Sequence, residues 1–119
     1  ENLMMPYKIN KIKEHHDPIE LTKIFGLDNK LNNYPAQLSA GEAQRISLIR
    51  AIINKPSLIL ADEPTANLDD MNIATMISFI ESIKKEYLTS FVIATHDERL
   101  CDIADKILYL DNGKLSERK

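Results

Sequence analysis

Two apolar runs each deliver polar groups at their ends. Leu58-Ile59-Leu60-Ala61 is followed by Asp62 and Glu63, and Phe91-Val92-Ile93-Ala94 is followed by Thr95, His96 and Asp97. Adjacent acids after a buried strand suit a divalent ion plus a general base. One carboxylate can hold hydrated Mg²⁺ with help from phosphate oxygens, and the other can deprotonate a water. A nearby histidine can stabilise a phosphate. A third group is Ser39-Ala40-Gly41, just ahead of a run with helical spacing. Free backbone N–H groups and the helix dipole make such a start an anion site. Taken singly, each has a plainer reading: a solvated turn for the acids, a loop hydrogen-bonder for His96, and a capping box for Ser39 with Glu42.

Local patterns supply the elements that must hold these groups. Asp17-Pro18 reads as a helix start, with Leu21, Ile24 and Phe25 as a short apolar face and Gly26 as its end. A helix is expected after Pro6, and a polar loop over 27–36. Ser39-x-x-Glu42 opens a helix carrying Ala43, Ile46, Ile49 or Arg50, and Ile53, stopped by Asn54-Lys55-Pro56. Ile73, Met76, Ile77, Ile80, Ile83 and Tyr87 stripe a long helix over about 70–86. A short helix over 98–104 and a third strand over 106–110 follow, then an Asp111-Asn112-Gly113 turn. The two apolar runs read as strands buried on both faces of a parallel sheet. Strand, helix, strand, helix, strand predicts right-handed crossovers, and ligands then gather at the carboxyl ends of the strands.

Composition narrows the class. The 119 residues are 44% hydrophobic, which excludes a disordered chain. The longest apolar runs are far short of the ~20 residues a membrane span requires. Cys101 is the sole cysteine, so no internal disulfide is possible and a reducing compartment fits. A net charge of −3 argues against a nucleic-acid surface. His15-His16-Asp17 reads as a solvated turn rather than a metal cluster. With glycines at 26, 41 and 113 alone, no G-x-x-x-x-G-K loop can be written within the chain.

Order and spacing together carry more than any single motif. Leu38-Ser39-Ala40-Gly41-Glu42-Ala43-Gln44-Arg45 resembles the signature motif of ABC-transporter ATPases. Leu58–Asp62 with Glu63-Pro64-Thr65 resembles their Walker B strand and catalytic glutamate. Ala66-Asn67-Leu68-Asp69 is similar to the D-loop, Thr95-His96-Asp97 to the switch histidine, and Asp111-Asn112-Gly113-Lys114 to the strand pair beyond it. The match covers residues 35–115. It implies an α/β, P-loop NTPase-like three-layer fragment, with parallel strands and crossover helices plus an N-terminal helical subdomain. Residues 1–55 would be that helical, signature-bearing subdomain, and 56–119 the C-terminal part of the α/β core.

The resemblance also implies roles. Glu63 and His96 would be catalytic, as base and γ-phosphate contact. Asp62 would hold Mg²⁺. Ser39, Ala40, Gly41, Glu42 and Asp69 would meet ATP bound mainly by a second nucleotide-binding domain, in a head-to-tail homodimer. Ala40 stands where the commoner signature has glycine, a change that matters if the position requires positive φ. The phosphate loop and Q-loop glutamine precede these motifs in the family, so the chain reads as the C-terminal half of a domain, inactive alone. The parent would be a cytoplasmic ATPase bound to the inner face of the cell membrane through a transmembrane permease, with no nucleic-acid partner. Pro35-Ala36-Gln37-Leu38 and Ala61–Thr65 resemble exporters of the lipoprotein-releasing, macrolide and antimicrobial-peptide type. Two alternatives are the tail of a DNA-repair or chromosome-maintenance ATPase and a non-catalytic interaction module. The first would place a coiled coil before the signature, and residues 1–34 carry no sustained heptads.

Overall fold

Short polar side chains start each of the main helices. In the computed structural model, which describes residues 2–10 and 14–117, Asp17 caps α2 (Pro18–Ile24) by accepting from Ile19 N at 2.9 Å. Ser39 caps α3 (Ala40–Ile52), and Asp69 caps α4 (Asp70–Tyr87). Each cap satisfies an amide that the helix leaves without a partner. Ahead of these lies α1 (Met5–Asn10), which takes Pro6 into its first turn, where its missing N–H costs nothing. A further short helix, α5 (Glu98–Cys101), is capped by Asp97.

Strand β1 (Leu58–Asp62) pairs in parallel with β2 (Ser90–Ala94), with α4 as the crossover. Leu60 stands opposite Val92 and Asp62 opposite Ala94. The register places Asp62-Glu63 and Thr95-His96 at the same, carboxyl, end of the sheet. Glu63 N donates to Ala94 O at 2.8 Å, continuing the ladder one residue past β1.

The core lies where α2, α3 and α4 meet β1. Leu21, Phe25, Leu27, Ile49, Ile52, Ile53, Ile59 and Ile83 form one buried cluster, and Phe25 stacks on Phe79 with ring centroids 4.3 Å apart. Met76, Ile80 and Leu100 form a second, which carries α5 against α4. The α4 stripe therefore faces inward as its spacing predicts.

Three expectations are corrected. The third strand, β3 (Leu108–Asp111), pairs antiparallel with β4 (Lys114–Glu117) instead of joining the parallel sheet. Asn112 at φ 47° and Gly113 at φ 74° give the turn two left-handed residues. That twist matches paired hairpin strands and directs the chain back on itself. Second, the parallel strands are buried on one face. Ile59 is buried, whereas Leu60 and Val92 are 75% and 58% exposed, because the helices described all pack on the Ile59 side. Third, the segment 27–36 is not simply a polar loop. Leu27 is core, its N–H donates to Thr22 O at 2.7 Å, and two single 3-10 turns follow. His16 is half-buried, its ring edge-on to Tyr87 at 4.4 Å and its backbone N–H donating to Ile53 O. Burial beside the Lys55 cation lowers its pKa.

Candidate active site

Glu63 occupies the carboxyl end of β1 in a left-handed backbone conformation, φ 46°. For a residue with a Cβ this costs about 1–2 kcal/mol, and such outliers mark sites where geometry serves a purpose. The side chain is held from two sides. His96 Nδ1 lies 2.8 Å from Oε1, and the Thr95 hydroxyl donates to Oε2 at 3.3 Å. A carboxylate can only accept, so the bond places the histidine proton on Nδ1 and leaves Nε2 facing outward. The His96 ring is 89% exposed, so Nε2 is open to a solute.

The β2 end is built to keep this loop in place. Asp97 N donates to Thr95 Oγ1 at 3.0 Å. The Asp97 carboxylate accepts from Arg99 Nε at 2.8 Å and Nη2 at 3.0 Å, and Arg99 Nη1 reaches Asp70 at 2.8 Å. The Arg99 guanidinium, helped by Thr65 and the Arg99 amide, lowers Asp97 from 3.8 to about 2.

Asp62 is exposed at the end of β1. Among the described residues, no three His, Cys, Asp or Glu side chains converge to form a protein-only metal cage. A single accessible carboxylate fits Mg²⁺, which keeps most of its waters and takes its other ligands from phosphates.

A second group of residues surrounds the start of α3. Ser39 Oγ accepts from Glu42 N at 3.2 Å, and Glu42 Oε2 accepts from Ser39 N at 2.9 Å, closing a reciprocal box. Lys30 adds an ion pair to Glu42 at 3.2 Å. The Ser39 amide and Lys30 both lower the Glu42 pKa. Glu42 is thus turned back onto the helix start, and its work here is capping. The amides of Ala40 and Gly41 have no acceptor within the helix and point forward from it. Ala40 sits in ordinary helical conformation, so alanine meets no backbone penalty there.

The structure therefore brings Glu63 and His96 into contact and places Asp62 beside them. Ser39, Ala40, Gly41 and Glu42 form a separate group, joined to the first through Gln44, whose Nε2 donates to Pro64 O at 2.9 Å. Asp69 lies with the second group, bonded to Asn72. Asn72 and Arg99 lie outside the motifs the sequence shows, and the contact of Gln44 with Pro64, 20 residues away, is not legible from the signature that contains it. Gly41 alone gave a signal, as a glycine inside a helix.

Comparison with known proteins places this geometry. The family model described as ABC transporter matches residues 6–66. The lipoprotein-releasing system ATP-binding protein LolD of Buchnera aphidicola subsp. Acyrthosiphon pisum (strain APS) is 43% identical over 118 residues, covering 97% of this chain and 52% of that protein. A dimeric, post-hydrolysis structure of the ATP-binding cassette MJ0796 bound to ADP and Pi aligns with TM-score 0.70 and 31% identity, over 83% of this chain and 44% of the other. A metal-chelate type ABC transporter in an inward-facing conformation shares the fold at TM-score 0.86 over 99% of this chain and 50% of that one, at 24% identity. The chain spans about half the length of the curated relatives it matches. With the family model covering more than half of its residues, the chain belongs to the ABC transporter family.

Proposed function

We propose that this chain is the signature-bearing half of an ATP-binding cassette that hydrolyses ATP to drive export. Residues 1–55 form its helical subdomain and 56–119 the C-terminal part of its α/β core. Glu63 accepts the proton of the attacking water, His96 holds the Glu63 carboxylate in place and contacts the γ-phosphate, and Asp62 would hold Mg²⁺. The metal, when bound, neutralises phosphate charge. The amides of Ala40 and Gly41 with Ser39 meet the γ-phosphate of ATP held by a second cassette, Glu42 fixes that turn, and Asp69 faces the same partner. A homodimer attached to a transmembrane permease, on the cytoplasmic side of the cell membrane, fits this arrangement. The likeness to LolD favours a lipoprotein-releasing type of transport over a chromosome-maintenance role.

The observation that carries the reading is the Glu63 carboxylate held between His96 and Thr95 at the end of paired parallel strands. A base so oriented, beside a second carboxylate for the metal, suits attack of water on a phosphoryl group. Phosphate release from Mg-ATP by the full-length natural polypeptide carrying these residues tests it. Glu63→Gln should reduce turnover by about 10²-fold or more, in the range that a positioned base supplies. A Glu63→Gln protein as active as the unmodified one would overturn the assignment.

A further inference from the structure

Asn72, three residues into α4, belongs to none of the motifs above, yet it touches two of them. Its Oδ1 accepts from Arg45 Nη1 at 3.1 Å, and its Nδ2 donates to Asp69 Oδ1 at 3.0 Å. Both ends of the amide are therefore used, one toward the helix that begins at Ser39 and one toward the loop that ends at Asp69. Between them the side chain lies directly over Gly41. A Cβ at position 41 would come within 2.6 Å of Asn72 Cγ, closer than real side chains approach. Gly41 is buried and has no left-handed φ. Its lack of a side chain is therefore explained by space for Asn72, not by backbone freedom. Arg45 has its Nε buried without a partner, and Nη1 is tied to Asn72. Without Asn72 the guanidinium would lose that anchor.

We propose that Asn72 is a positioning residue that clasps the start of α3 to the Asp69 loop, so that the Ala40 and Gly41 amides and Asp69 move as one unit. This inference rests on the cassette reading, under which both groups meet the same partner subunit. Hydrolysis then requires them in one fixed register, and small displacements of positioning groups cost large factors in rate. The amide suits the task because it offers an acceptor to Arg45 and a donor to Asp69 at once. Its backbone N–H is bonded separately to Asp69 at 2.8 Å, so truncating the side chain leaves the cap of α4 in place.

The test uses the full-length natural polypeptide with Asn72→Ala, Gly41→Ala, the double variant and Glu63→Gln, measuring Mg-ATP turnover and thermal unfolding. Asn72→Ala should lower kcat about tenfold, with KM altered less than about twofold and the unfolding midpoint lowered by the loss of its two side-chain hydrogen bonds. Gly41→Ala should lower both kcat and midpoint. In the Asn72→Ala background it should leave the midpoint where Asn72→Ala alone sets it, because its clash requires the Asn72 side chain. An Asn72→Ala enzyme with unchanged kcat, alongside an inactive Glu63→Gln, overturns the clasp and leaves the cassette reading intact. So do Gly41→Ala and Asn72→Ala losses of unfolding midpoint that simply add. Absence of hydrolysis in the unmodified protein would overturn the cassette reading instead. The midpoints then judge the clasp: equal loss from Gly41→Ala in both backgrounds refutes it.

Discussion

At the residue scale, Asp97 departs furthest from its ordinary ionisation. Arg99 grips its carboxylate through two nitrogens, and its pKa falls from 3.8 to about 2. A depressed carboxylate contributes stability above its unfolded pKa, and that contribution is lost as pH falls through the folded value. The window therefore runs from about pH 4 down to about pH 2. Arg99→Gln should lower the unfolding midpoint by a few degrees near neutral pH, with the gap from the unmodified protein closing across that window. A gap that persists at low pH would assign the role of Arg99 to packing. The second pairing, with the 97% exposed Asp70, adds little because solvent screens it. Local sequence made much of this scale readable. Glu63, His96 and Asp62 could be picked out because chain order places all three at strand ends. Their mutual contact was less readable, since it depends on the register that sets Asp62 opposite Ala94. Asn72 and Arg99 carry no motif of their own: Arg99 holds Asp97 two residues away, and the bond of Asn72 to Arg45 joins segments 27 residues apart.

At the element scale, the legible features were those with local causes. Capping at Asp17 and Ser39 and the stripe of α4 need neighbours within one or two turns, and the folded chain reproduces them. The pairing of β3 was misread because an apolar run does not say which strand it joins. The turn at Asn112-Gly113, with both φ positive, decided it. The end of α4 was equally silent. Leu88 takes the left-handed position after the helix, φ 53°, where glycine is the usual occupant, and its side chain is 86% exposed. Little burial is lost by removing it, and the backbone penalty of about 1 kcal/mol is relieved. Leu88→Gly should therefore raise the free energy of unfolding by roughly that amount in urea titration, and Leu88→Val, with a branched Cβ at the same φ, should lower it. A Leu88→Gly variant less stable than the unmodified chain would mean that the leucine side chain holds the end of α4 in place.

At the scale of the whole molecule, the chain is more open than its length predicts. Its radius of gyration is 15.2 Å, against about 13.5 Å for a self-contained domain of this size. Among the described residues the parallel sheet has two strands, and so two edges, with an apolar face carrying Leu58, Leu60 and Val92 turned outward. Parallel strands are ordinarily covered on both faces, and bare edges recruit other chains. The longer cassettes that this chain matches have about as many residues again. Prepared as 119 residues alone, the protein should therefore self-associate at about 100 μM, in the range where exposed apolar surface drives association. Leu60 and Val92 stand directly opposite each other, so Leu60→Glu with Val92→Lys places a cross-strand ion pair on the bare face. That pair preserves the sheet while making its surface costly to bury against another copy. Light scattering should then give oligomers for the unmodified chain and the monomer mass for the double variant. A monomeric unmodified chain at that concentration would mean that the outward face and edges are tolerated as they stand.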